Sequence, residues 1–479
     1  MFLCIIMCME FINREQEMRR LDHVARLPEG GLVVIWGRRR MGKTRLLLEW
    51  AKKYNGVYYT ADESSETMQR KYFAAALEQV LLGFASVTYP DWLTLLQRLA
   101  REARQAAWHG PLIIDELPYL AEACPELPSI LQKFIDREAK EAKLIIALSG
   151  SSQQMMQSTI LAADAPLYGR ATEMLKLGPI SVGYIGKALH LTNPREIIET
   201  YSIWGGVPRY WELVANKKDT LIDSIDRLVL DPIGALHDEP NRFLLEEMPP
   251  AISLRPILDA IGLGSHRLSD IATRVGHQMT SLGRPLHRLI ELDLVKREVP
   301  FGVQEQNTKR TLYKIQDPFF RFWFEMVAPR RSYFAQTIPA HRKHWVAEHL
   351  HPLVSATWEE LCRQVIPLLF QGLFTIASRY WHGQGNEFDI VAASLDASTL
   401  LIGEAKWTEK RPTEVWIDKI LKELQSKQLE GPLKGYASYM YVLFVPEKPP
   451  QLDLPDYMKV IDAAEVIQAF ANSHLEALA

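Results

Sequence analysis

The stretch GRRRMGKT, residues 37–44, decides the fold of this chain. It follows the apolar run LVVIW at residues 32–36 and precedes RLLLEW at residues 45–50, in which apolar residues recur at helical spacing. A strand of the buried type, a glycine-rich turn and an amphipathic helix, in this order, are the surroundings that a phosphate-binding P-loop requires. A chance glycine-rich turn before a helix is the weaker interpretation, because both flanking elements are in place.

The predicted P-loop fits the pattern GxxxxGKT. In such loops the glycines let the backbone amides wrap the phosphates, and the helix N-terminus favours an anion. Lys43 would reach the β and γ phosphates, and Thr44 would hold Mg²⁺. ATP and Mg²⁺ are therefore the expected cofactors. The residues predicted to contact the nucleotide here are Gly37, Arg38, Arg39, Arg40, Met41, Gly42, Lys43 and Thr44.

A second apolar strand, in PLIIDELPYL at residues 111–120, ends in the acids Asp115 and Glu116. Asp115 is expected to orient the Mg²⁺ shell, so that it counts both as a nucleotide contact and as a metal ligand, and Glu116 is expected to polarise the attacking water. A helix N-terminus that merely carries acids is the alternative. The P-loop upstream favours the catalytic interpretation.

Two further polar positions follow strand ends. The strand in KLIIALSGSS ends at Ser149, Ser151 and Ser152, where a hydroxyl could sense the γ phosphate or the attacking water. Ser149 is the predicted nucleotide contact, although serines at strand ends are also ordinary turn formers. Arg170 precedes a fifth strand and is the candidate for an arginine finger that stabilises the transferring phosphoryl group, or for a conformational sensor. A solvent-facing arginine that caps a loop is the other interpretation of Arg170.

Residues 181–240 have helical patterns, interrupted in WGGVPRYWEL by two glycines and a proline. That tight turn could place Val207 and Pro208 against a nucleotide base, although a plain turn between helices is the simpler interpretation. Further on, the apolar and aromatic run DPFFRFWFEMV, residues 317–327, is expected to be buried.

Between these segments, residues 253–316 show three helical patterns followed by two short strands, the order of a winged helix. The basic patch is moderate because acids interleave with it. DNA contact is therefore one interpretation, and a protein contact or an intramolecular lid is the other. The basic residues are Arg267, Arg274, Arg284, His287, Arg288, Lys296 and Lys309.

The C-terminal part contains a second group of chemically active residues. A strand in GNEFDIVAASL carries Glu387 and Asp389, and the strand in STLLIGEAKW ends with Glu404 and Lys406. Because side chains alternate along a strand, the members of each pair share a face. Asp389 and Glu404 are predicted to bind Mg²⁺ or Mn²⁺, with Lys406 as a catalytic residue that steadies developing charge or orients water. Edge strands with solvated charges are the alternative.

Composition sets the outer limits. A chain of 479 residues predicts about three domains, and 47% hydrophobic content is ample for packed cores. The formal net charge of −3 gives no global attraction to nucleic acid or acidic lipid. Four scattered cysteines do not form a disulfide framework, which suits the cytoplasm. The opening MFLCIIMCM is too short to span a bilayer, and residues 1–8 are interpreted as an upstream start or a packed tail.

Taken together, several segments resemble the prokaryotic, archaeal-type AAA+/STAND-like P-loop ATPase family, and within it members with a winged helix and a C-terminal PD-(D/E)xK-like domain of unknown function. The segments are FINREQE (residues 11–17), GRRRMGKT, LIIDELPYL, LSGSS, PLYGRATE and WGGVPRYW. The resemblance implies a multidomain α/β chain: a P-loop ATPase with a parallel sheet that includes an additional strand, a helical lid, a winged helix and a restriction-endonuclease-like domain. The implied boundaries are 1–180 (ATPase core), 181–250 (lid), 251–316 (winged helix), 317–350 (helical connector) and 351–479 (nuclease-like domain).

The resemblance also implies roles for individual residues. The Walker B acids follow a strand, as the family requires, whereas Phe388 replaces the proline of the nuclease motif. That proline has no chemical part. The roles fall on Lys43 and Thr44 (phosphate and magnesium), Asp115 and Glu116 (Walker B pair), Arg170 (arginine finger), and Asp389, Glu404, Lys406 and the helix acid Glu359 (nuclease motif).

These observations favour an ATP-hydrolysing AAA+-type ATPase that is coupled to DNA binding and to metal-dependent DNA cleavage. The alternative is a STAND-like, nucleotide-controlled signalling or scaffold protein whose nuclease-like tail does not cut. DNA is the expected partner and no membrane contact is expected. A homo-oligomer is required only if Arg170 acts on the site of a neighbouring subunit.

Overall fold

A computed structural model describes most of the chain, which divides into two compact units. The first unit extends to Pro179 and includes Val207–Arg209 and the chain around Glu246; the second contains the remaining residues. The apolar opening, residues 1–9, lies outside the described residues. Those described are 10–151, 156, 160, 162–163, 165–215, 219–247, 254–304, 310–382 and 386–476.

The first unit is built on a sheet in which every pair of neighbouring strands is parallel. Its described strands are β1 (Gly31–Trp36), β2 (Val57–Thr60), β3 (Leu112–Asp115), β4 (Ile145–Gly150) and β5 (Glu173–Lys176). The order across the sheet is β2-β3-β4-β1-β5, so that β4 separates the P-loop strand from the strand with the two acids. This confirms the predicted parallel P-loop sheet with its additional strand.

Helices cover this sheet because their apolar residues face it. Leu32 and Val34 of β1 and Ile114 of β3 belong to one buried cluster with the helix residues Leu95 and Leu99. Strand side chains alternate between faces, whereas helical positions three and four apart share one face, so these elements bury a common core. The helices are α1 (Glu15–Ala25), α2 (Lys43–Lys53), α3 (Glu66–Leu77), α4 (Trp92–Gln105), α5 (Leu117–Ala123) and α6 (Leu127–Phe134), which continues as a π-helix over Ile135–Ala139.

Helices dominate the chain between the two sheets. The aromatic run after residue 317 is buried as expected, since Phe319, Phe320 and Trp323 are fully inaccessible to solvent. The helices before the C-terminal sheet are α7 (Ile185–Leu189), α8 (Pro194–Trp204), α9 (Pro208–Val214), α10 (Leu221–Ile225), α11 (Glu239–Glu247), α12 (Arg255–Gly262), α13 (Leu268–Val275), α14 (Gly283–Glu291), α15 (Pro318–Phe322), α16 (Arg331–Gln336), α17 (Pro339–His349) and α18 (His351–Leu369).

The segment predicted as a winged helix has its elements in the predicted order. Helices α12, α13 and α14 are followed by β6 (Val295–Glu298) and β7 (Leu312–Ile315), which pair as an antiparallel hairpin. Lys309 lies outside the described residues. The assignment as a winged helix stays a prediction.

A mixed sheet forms the C-terminal part. Its described strands are β8 (Ser378–Tyr380), β9 (Phe388–Ala393), β10 (Thr399–Ala405), β11 (Ser438–Val445) and β12 (Met458–Asp462), in the order β12-β11-β10-β9-β8. Strands β8, β9 and β10 pair antiparallel, while β10, β11 and β12 pair parallel. The remaining helices are α19 (Glu414–Ser426) and α20 (Ala463–Glu476). Glu387 precedes β9 and was therefore wrongly predicted to lie within the strand.

Within the described residues, no helix is long and apolar enough to cross a membrane.

Candidate functional site

The P-loop has the backbone that its glycines permit. Gly37 has φ of 146° and Gly42 has φ of 87°, conformations that residues with a Cβ atom rarely adopt. A Cβ atom at Gly37 would also lie only 2.5 Å from the carbonyl oxygen of Leu177. Helix α2 begins at Lys43, immediately after the loop. The first N–H groups of a helix point out of its N-terminus, toward the position that a phosphate takes in a P-loop.

Lys43 is buried inside the loop that it follows. Its Nζ donates to the carbonyl oxygen of Gly37 at 2.7 Å and to that of Arg38 at 3.2 Å. These carbonyl groups hold the ammonium in the loop before any nucleotide arrives. The predicted contact of Lys43 with the β and γ phosphates stays a prediction.

Thr44 and Asp115, which are distant in the sequence, meet at the end of β3. Thr44 Oγ1 donates to Asp115 Oδ2 at 2.9 Å, and the Tyr58 hydroxyl donates to the same oxygen at 2.6 Å. Asp115 is almost fully buried. Burial, followed by the charge of Asp115, raises the pKa of Tyr58 well above its usual range, so that Tyr58 remains a donor. A hydroxyl and a carboxylate side by side are the groups that hold Mg²⁺ in P-loop ATPases, and these two residues fit that ion.

The second acid, Glu116, is held in a left-handed conformation with φ of 56° at the start of α5. Both oxygens of its carboxylate accept hydrogen bonds from Ser151: the hydroxyl lies 2.6 Å and 2.9 Å from them, and the N–H lies 3.0 Å from Oε2. A non-glycine residue in this conformation costs of order 1–3 kcal/mol, and such strain often accompanies function. Ser151 thus fixes the predicted general base, a role that the sequence did not reveal.

Ser149 is fully buried at the end of β4, beside Ile35 of β1. Its Oγ has no hydrogen-bond partner in the part of the chain that the structure describes. A buried hydroxyl without a partner costs about 1–3 kcal/mol, which a ligand or water could recover. This observation fits the predicted nucleotide contact, which stays a prediction. Ser152 lies outside the described residues.

Arg170 does not reach the P-loop of its own chain. It donates to Asp136 at 2.9–3.1 Å and to the carbonyl oxygen of Pro166 at 3.1 Å. It also lines a depression with Gly31 and Leu32, at the beginning of β1. The P-loop follows the other end of β1. A strand of six residues is about 20 Å long, so Arg170 lies about that far from the P-loop. The predicted arginine finger is therefore tenable only for the site of a neighbouring subunit.

The remaining loop residues make structural contacts. Arg39 pairs with Glu246 at 2.5 Å and lies 3.3 Å from the Tyr119 hydroxyl. Arg38 is buried, and Arg40 has a left-handed backbone with φ of 70°. These contacts shape the loop, and the predicted contacts of its backbone amides with nucleotide stay predictions.

Arg14 supports the same loop, which the sequence did not predict. It is buried and donates to the carbonyl oxygen of Met41 at 3.0 Å and to that of Gly178 at 2.7 Å. Burial lowers the pKa of Arg14, although its partner Glu17 acts in the opposite direction. Arg14 therefore ties the P-loop to the segment that follows β5.

The turn before α9 comes close to the P-loop. The Pro208 Cγ lies 3.8 Å from the position that a Cβ atom would take at Gly42. The turn also requires glycine, because a Cβ atom at Gly206 would lie 2.0 Å from the carbonyl oxygen of Ile180. The predicted contact of Val207 and Pro208 with a base stays a prediction.

In the C-terminal sheet, Asp389 and Glu404 are neighbours on adjacent antiparallel strands, one position beyond the pair formed by Gly403 and Ile390. Lys406 Nζ lies 2.5 Å from Glu404 Oε2 and 3.5 Å from Asp389 Oδ2. The structure thus brings together the three residues that the sequence predicted.

The two carboxylates influence each other. Burial and the charge of Asp389 raise the pKa of Glu404. Burial alone would raise the pKa of Asp389, but contact with the Glu404 carboxyl group and the Lys406 ammonium lowers it overall. No group of three or more His, Cys, Asp or Glu side chains suited to a metal ion occurs among the described residues. Two carboxylates fit Mg²⁺, which is commonly bound by one or two of them together with water and substrate phosphates.

The two helix acids of α18 differ. Burial and the charge of Asp389 raise the pKa of Glu359, which places Glu359 near the acidic pair. Glu360 instead pairs with Arg321 at 2.7 Å and with Lys296 at 2.6 Å. Burial would raise the pKa of Glu360, but these two cations lower it to about 2. Glu360 therefore belongs to a structural ion cluster.

The hairpin of β6 and β7 is joined to the C-terminal sheet within the second unit. The N–H of Phe301 donates to the carbonyl oxygen of Arg379 at 2.7 Å. Glu298 lies 3.6 Å from Arg379 and 3.7 Å from Arg363, and Lys314 Nζ is 3.0 Å from Glu298 Oε2. Lys296 reaches Glu360, so one of the predicted basic residues is used inside the molecule.

Comparisons with known proteins agree with this geometry. Residues 11–214 match the model of a family of ATPase domains predominantly from Archaea, and residues 323–420 match a family of archaeal and bacterial proteins of unknown function. An uncharacterized protein of Methanocaldococcus jannaschii is 26% identical over 440 residues, which cover 90% of this chain and 95% of that protein. A Walker-type ATPase structure from Pyrococcus abyssi is 21% identical, covers 66% of this chain and 96% of that one, and has a TM-score of 0.51, which supports the fold.

The sheet, the P-loop and the two acids define a P-loop ATPase, an enzyme that binds and hydrolyses ATP. More particularly, residues 11–214 are similar to ATPase domains found predominantly in Archaea, and residues 323–420 are similar to a family of archaeal and bacterial proteins of unknown function.

Proposed function

We propose that ATP binding and hydrolysis by this chain control a C-terminal domain that binds DNA and cleaves it with Mg²⁺ or Mn²⁺. The observation that carries the proposal is the group of Asp389, Glu404 and Lys406 at the adjacent ends of β9 and β10, where the Lys406 ammonium lies 2.5 Å from Glu404 and 3.5 Å from Asp389. Two carboxylates and an ammonium are the groups that a metal-dependent phosphodiesterase uses.

In the ATPase site, Thr44 and Asp115 would hold Mg²⁺, which neutralises charge on the phosphates when bound. Lys43 neutralises charge on the transferring phosphoryl group. Glu116 accepts a proton from the attacking water, for which its carboxylate has to leave Ser151. Ser149 offers its buried hydroxyl to the same region.

In the C-terminal site, Asp389 and Glu404 would hold the metal ion, which activates water and polarises a phosphate when bound. Lys406 stabilises the negative charge that develops on the phosphate, because its ammonium lies beside both carboxylates. DNA would also contact α14, where 74% of the His287 side chain is exposed. The hairpin that follows α14 is joined to the C-terminal sheet through Phe301 and Arg379. We also propose a cytoplasmic location, because Cys124 and Cys362 are buried free thiols.

A second candidate is a nucleotide-controlled scaffold that does not cut. Two observations favour it: both oxygens of Glu404 already pair with lysine ammonium groups at 2.5 Å, and Glu298 of the hairpin pairs with Arg363 and Arg379. These ion pairs use charged side chains inside the protein that a nuclease would leave available for its metal ion and for DNA.

The test incubates purified protein with plasmid and Mg²⁺ or Mn²⁺, with and without ATP. The variants are Asp389→Ala, Lys43→Ala and the control Asp418→Ala, an exposed acid on α19. We expect nicking by the native chain and by Asp418→Ala, none by Asp389→Ala, and loss of the dependence on ATP in Lys43→Ala. Intact ATP hydrolysis without cutting by any form would favour the scaffold.

Oligomeric state is tested separately, because Arg170 can act only in another subunit's site. We propose that ATP promotes assembly, which light scattering with and without the nucleotide would detect. A chain that stays monomeric with ATP rules out the arginine finger.

A further inference from the structure

Glu404 is held by two lysines, and only one of them was predicted. Lys406 Nζ lies 2.5 Å from Oε2, while Lys427 Nζ lies 2.5 Å from Oε1. Lys427 is the first residue after α19, and its ammonium also donates to the carbonyl oxygen of Glu387 at 2.9 Å. Its ammonium lies 5.1 Å from the centre of the Phe388 ring. Lys427 is therefore built into the acidic site from a different element.

Each carboxylate of the pair Asp389 and Glu404 is already in contact with a lysine ammonium. Asp389 and Glu404 contribute two negative charges, and the two lysines contribute two positive ones. A divalent cation that enters beside Glu404 has to share its oxygens with two ammonium groups, which repel it. One ammonium must therefore move away when such a cation binds.

Lys427 is the lysine that can move. The ammonium of Lys406 contacts both carboxylates, at 2.5 Å from Glu404 and 3.5 Å from Asp389, whereas the ammonium of Lys427 contacts only Glu404 of the two. Lys427 follows the last turn of α19, and its side chain is partly exposed, as is that of Lys406. A flexible four-carbon stem allows its ammonium to turn from Glu404 to a group that approaches from solvent.

We propose that Lys427 is a phosphate-binding residue of this site: it neutralises Glu404 in the absence of metal and binds a backbone phosphate of DNA when a divalent cation occupies Glu404. The inference rests on the proposed metal-dependent DNA site and specifies how that site takes its substrate. It makes an unusual prediction, since the loss of one side chain strengthens binding of the cation and weakens binding of the DNA.

The first test is calorimetric titration of the nucleotide-free full-length chain with Mn²⁺. The heat that disappears in Asp389→Ala belongs to this site. We expect Lys427→Met to bind Mn²⁺ several-fold more tightly than the native chain, because a competing charge is gone. Lys427→Arg retains the native affinity. The control is Lys422→Met, which removes an exposed lysine of the same helix that pairs with Asp418.

The second test measures binding of a duplex oligonucleotide by fluorescence anisotropy in Ca²⁺, a hard oxygen-seeking cation used here in place of Mg²⁺. The logarithm of the affinity is followed against the logarithm of salt concentration. We expect Lys427→Met to bind several-fold more weakly and to lower the slope by about 1, as the loss of one phosphate contact does. Lys427→Arg keeps the slope, and Lys422→Met leaves it unchanged.

The outcomes separate the two proposals. Mn²⁺ binding that is unchanged or weaker in Lys427→Met overturns the role of Lys427, because a lysine that only orients Glu404 would support the cation site. An unchanged salt slope also overturns it. If the native chain and Asp389→Ala give the same heat, the metal site itself fails, and the inference fails with it. Should Lys427→Met not fold, as judged by circular dichroism, Lys427→Gln replaces it in both titrations.

Discussion

Ser151 holds Glu116 through three hydrogen-bond contacts, two from its hydroxyl at 2.6 Å and 2.9 Å and one from its N–H at 3.0 Å. In this arrangement the carboxylate is directed at a protein donor instead of at water. We therefore expect hydrolysis to require a movement of the Glu116 side chain away from Ser151, whose hydroxyl also lies 3.4 Å from Arg39 Nε of the P-loop. The contact between Ser151 and Glu116 is thus expected to influence the rate of the ATPase.

Ser151→Ala is expected to raise the rate of ATP hydrolysis. The substitution removes the two hydroxyl contacts and leaves the N–H contact, which lowers the cost of releasing Glu116 by about 1 kcal/mol. If release limits turnover, kcat rises by about fivefold. Phosphate release at saturating ATP measures this, and a clear fall in kcat would mean that Ser151 positions the base instead of restraining it.

Glu116→Gln is expected to separate nucleotide binding from hydrolysis. The amide keeps the shape of the side chain but cannot accept the proton of the attacking water, so kcat should fall by about 10²–10⁴-fold. Binding of a fluorescent ATP analogue should remain close to native, because Lys43 and Thr44 are untouched. The matched control is Glu122→Gln, which alters an exposed acid of α5. Strongly weakened analogue binding would contradict the assigned role.

The sequence was informative where chemistry and local structure coincide. The P-loop and the acids after β3 are contiguous segments whose spacing fixes their geometry, and the parallel strands bring Thr44 to Asp115. The pair Asp389 and Glu404 could be predicted for the same reason, since neighbouring strands with a period of two align their faces.

Contacts between distant segments could not be predicted in this way. Arg14 meets Gly178, and Lys427 meets Glu404, only because the fold brings their elements together. A single sequence contains no information on such pairs apart from residue type. Arg170 is a case in which the sequence pattern misled. Its position before a strand suggested the phosphate site, but β5 begins at the end of the sheet that lies away from the P-loop.

Gly206→Ala is expected to destabilise the chain and weaken nucleotide binding. The added methyl group would lie 2.0 Å from the carbonyl oxygen of Ile180, so the backbone has to shift. Such overpacking typically lowers the free energy of unfolding by about 1–3 kcal/mol. The turn also positions Pro208 beside the P-loop. Thermal unfolding and ATP-analogue binding measure both effects. Gly283→Ala serves as the control, because a Cβ atom there meets nothing within 4 Å; equal behaviour of the two variants would count against the steric argument.

The stability of the second unit is expected to fall as pH rises from 4.5 to about 7, because of Glu325. Burial raises the pKa of Glu325 to about 7 from 4.5, since the nearby Arg321 is already paired with Glu360. A carboxyl group with a higher pKa in the folded chain contributes stability below its unfolded value, and that contribution is lost as pH rises toward 7. The loss amounts to at most about 3 kcal/mol.

Glu325→Gln should remove this loss, because the amide stays neutral at every pH. The variant is expected to be more stable than the native chain at pH 8 and about equal to it at pH 4.5, while the exposed control Glu423→Gln follows the native curve. Urea unfolding monitored by tryptophan fluorescence across this range measures the difference, and Trp323 next to Glu325 provides a buried reporter. Parallel curves for the native chain and Glu325→Gln would show that Glu325 keeps its charge in the folded chain, in which case Arg321 neutralises two carboxylates at once.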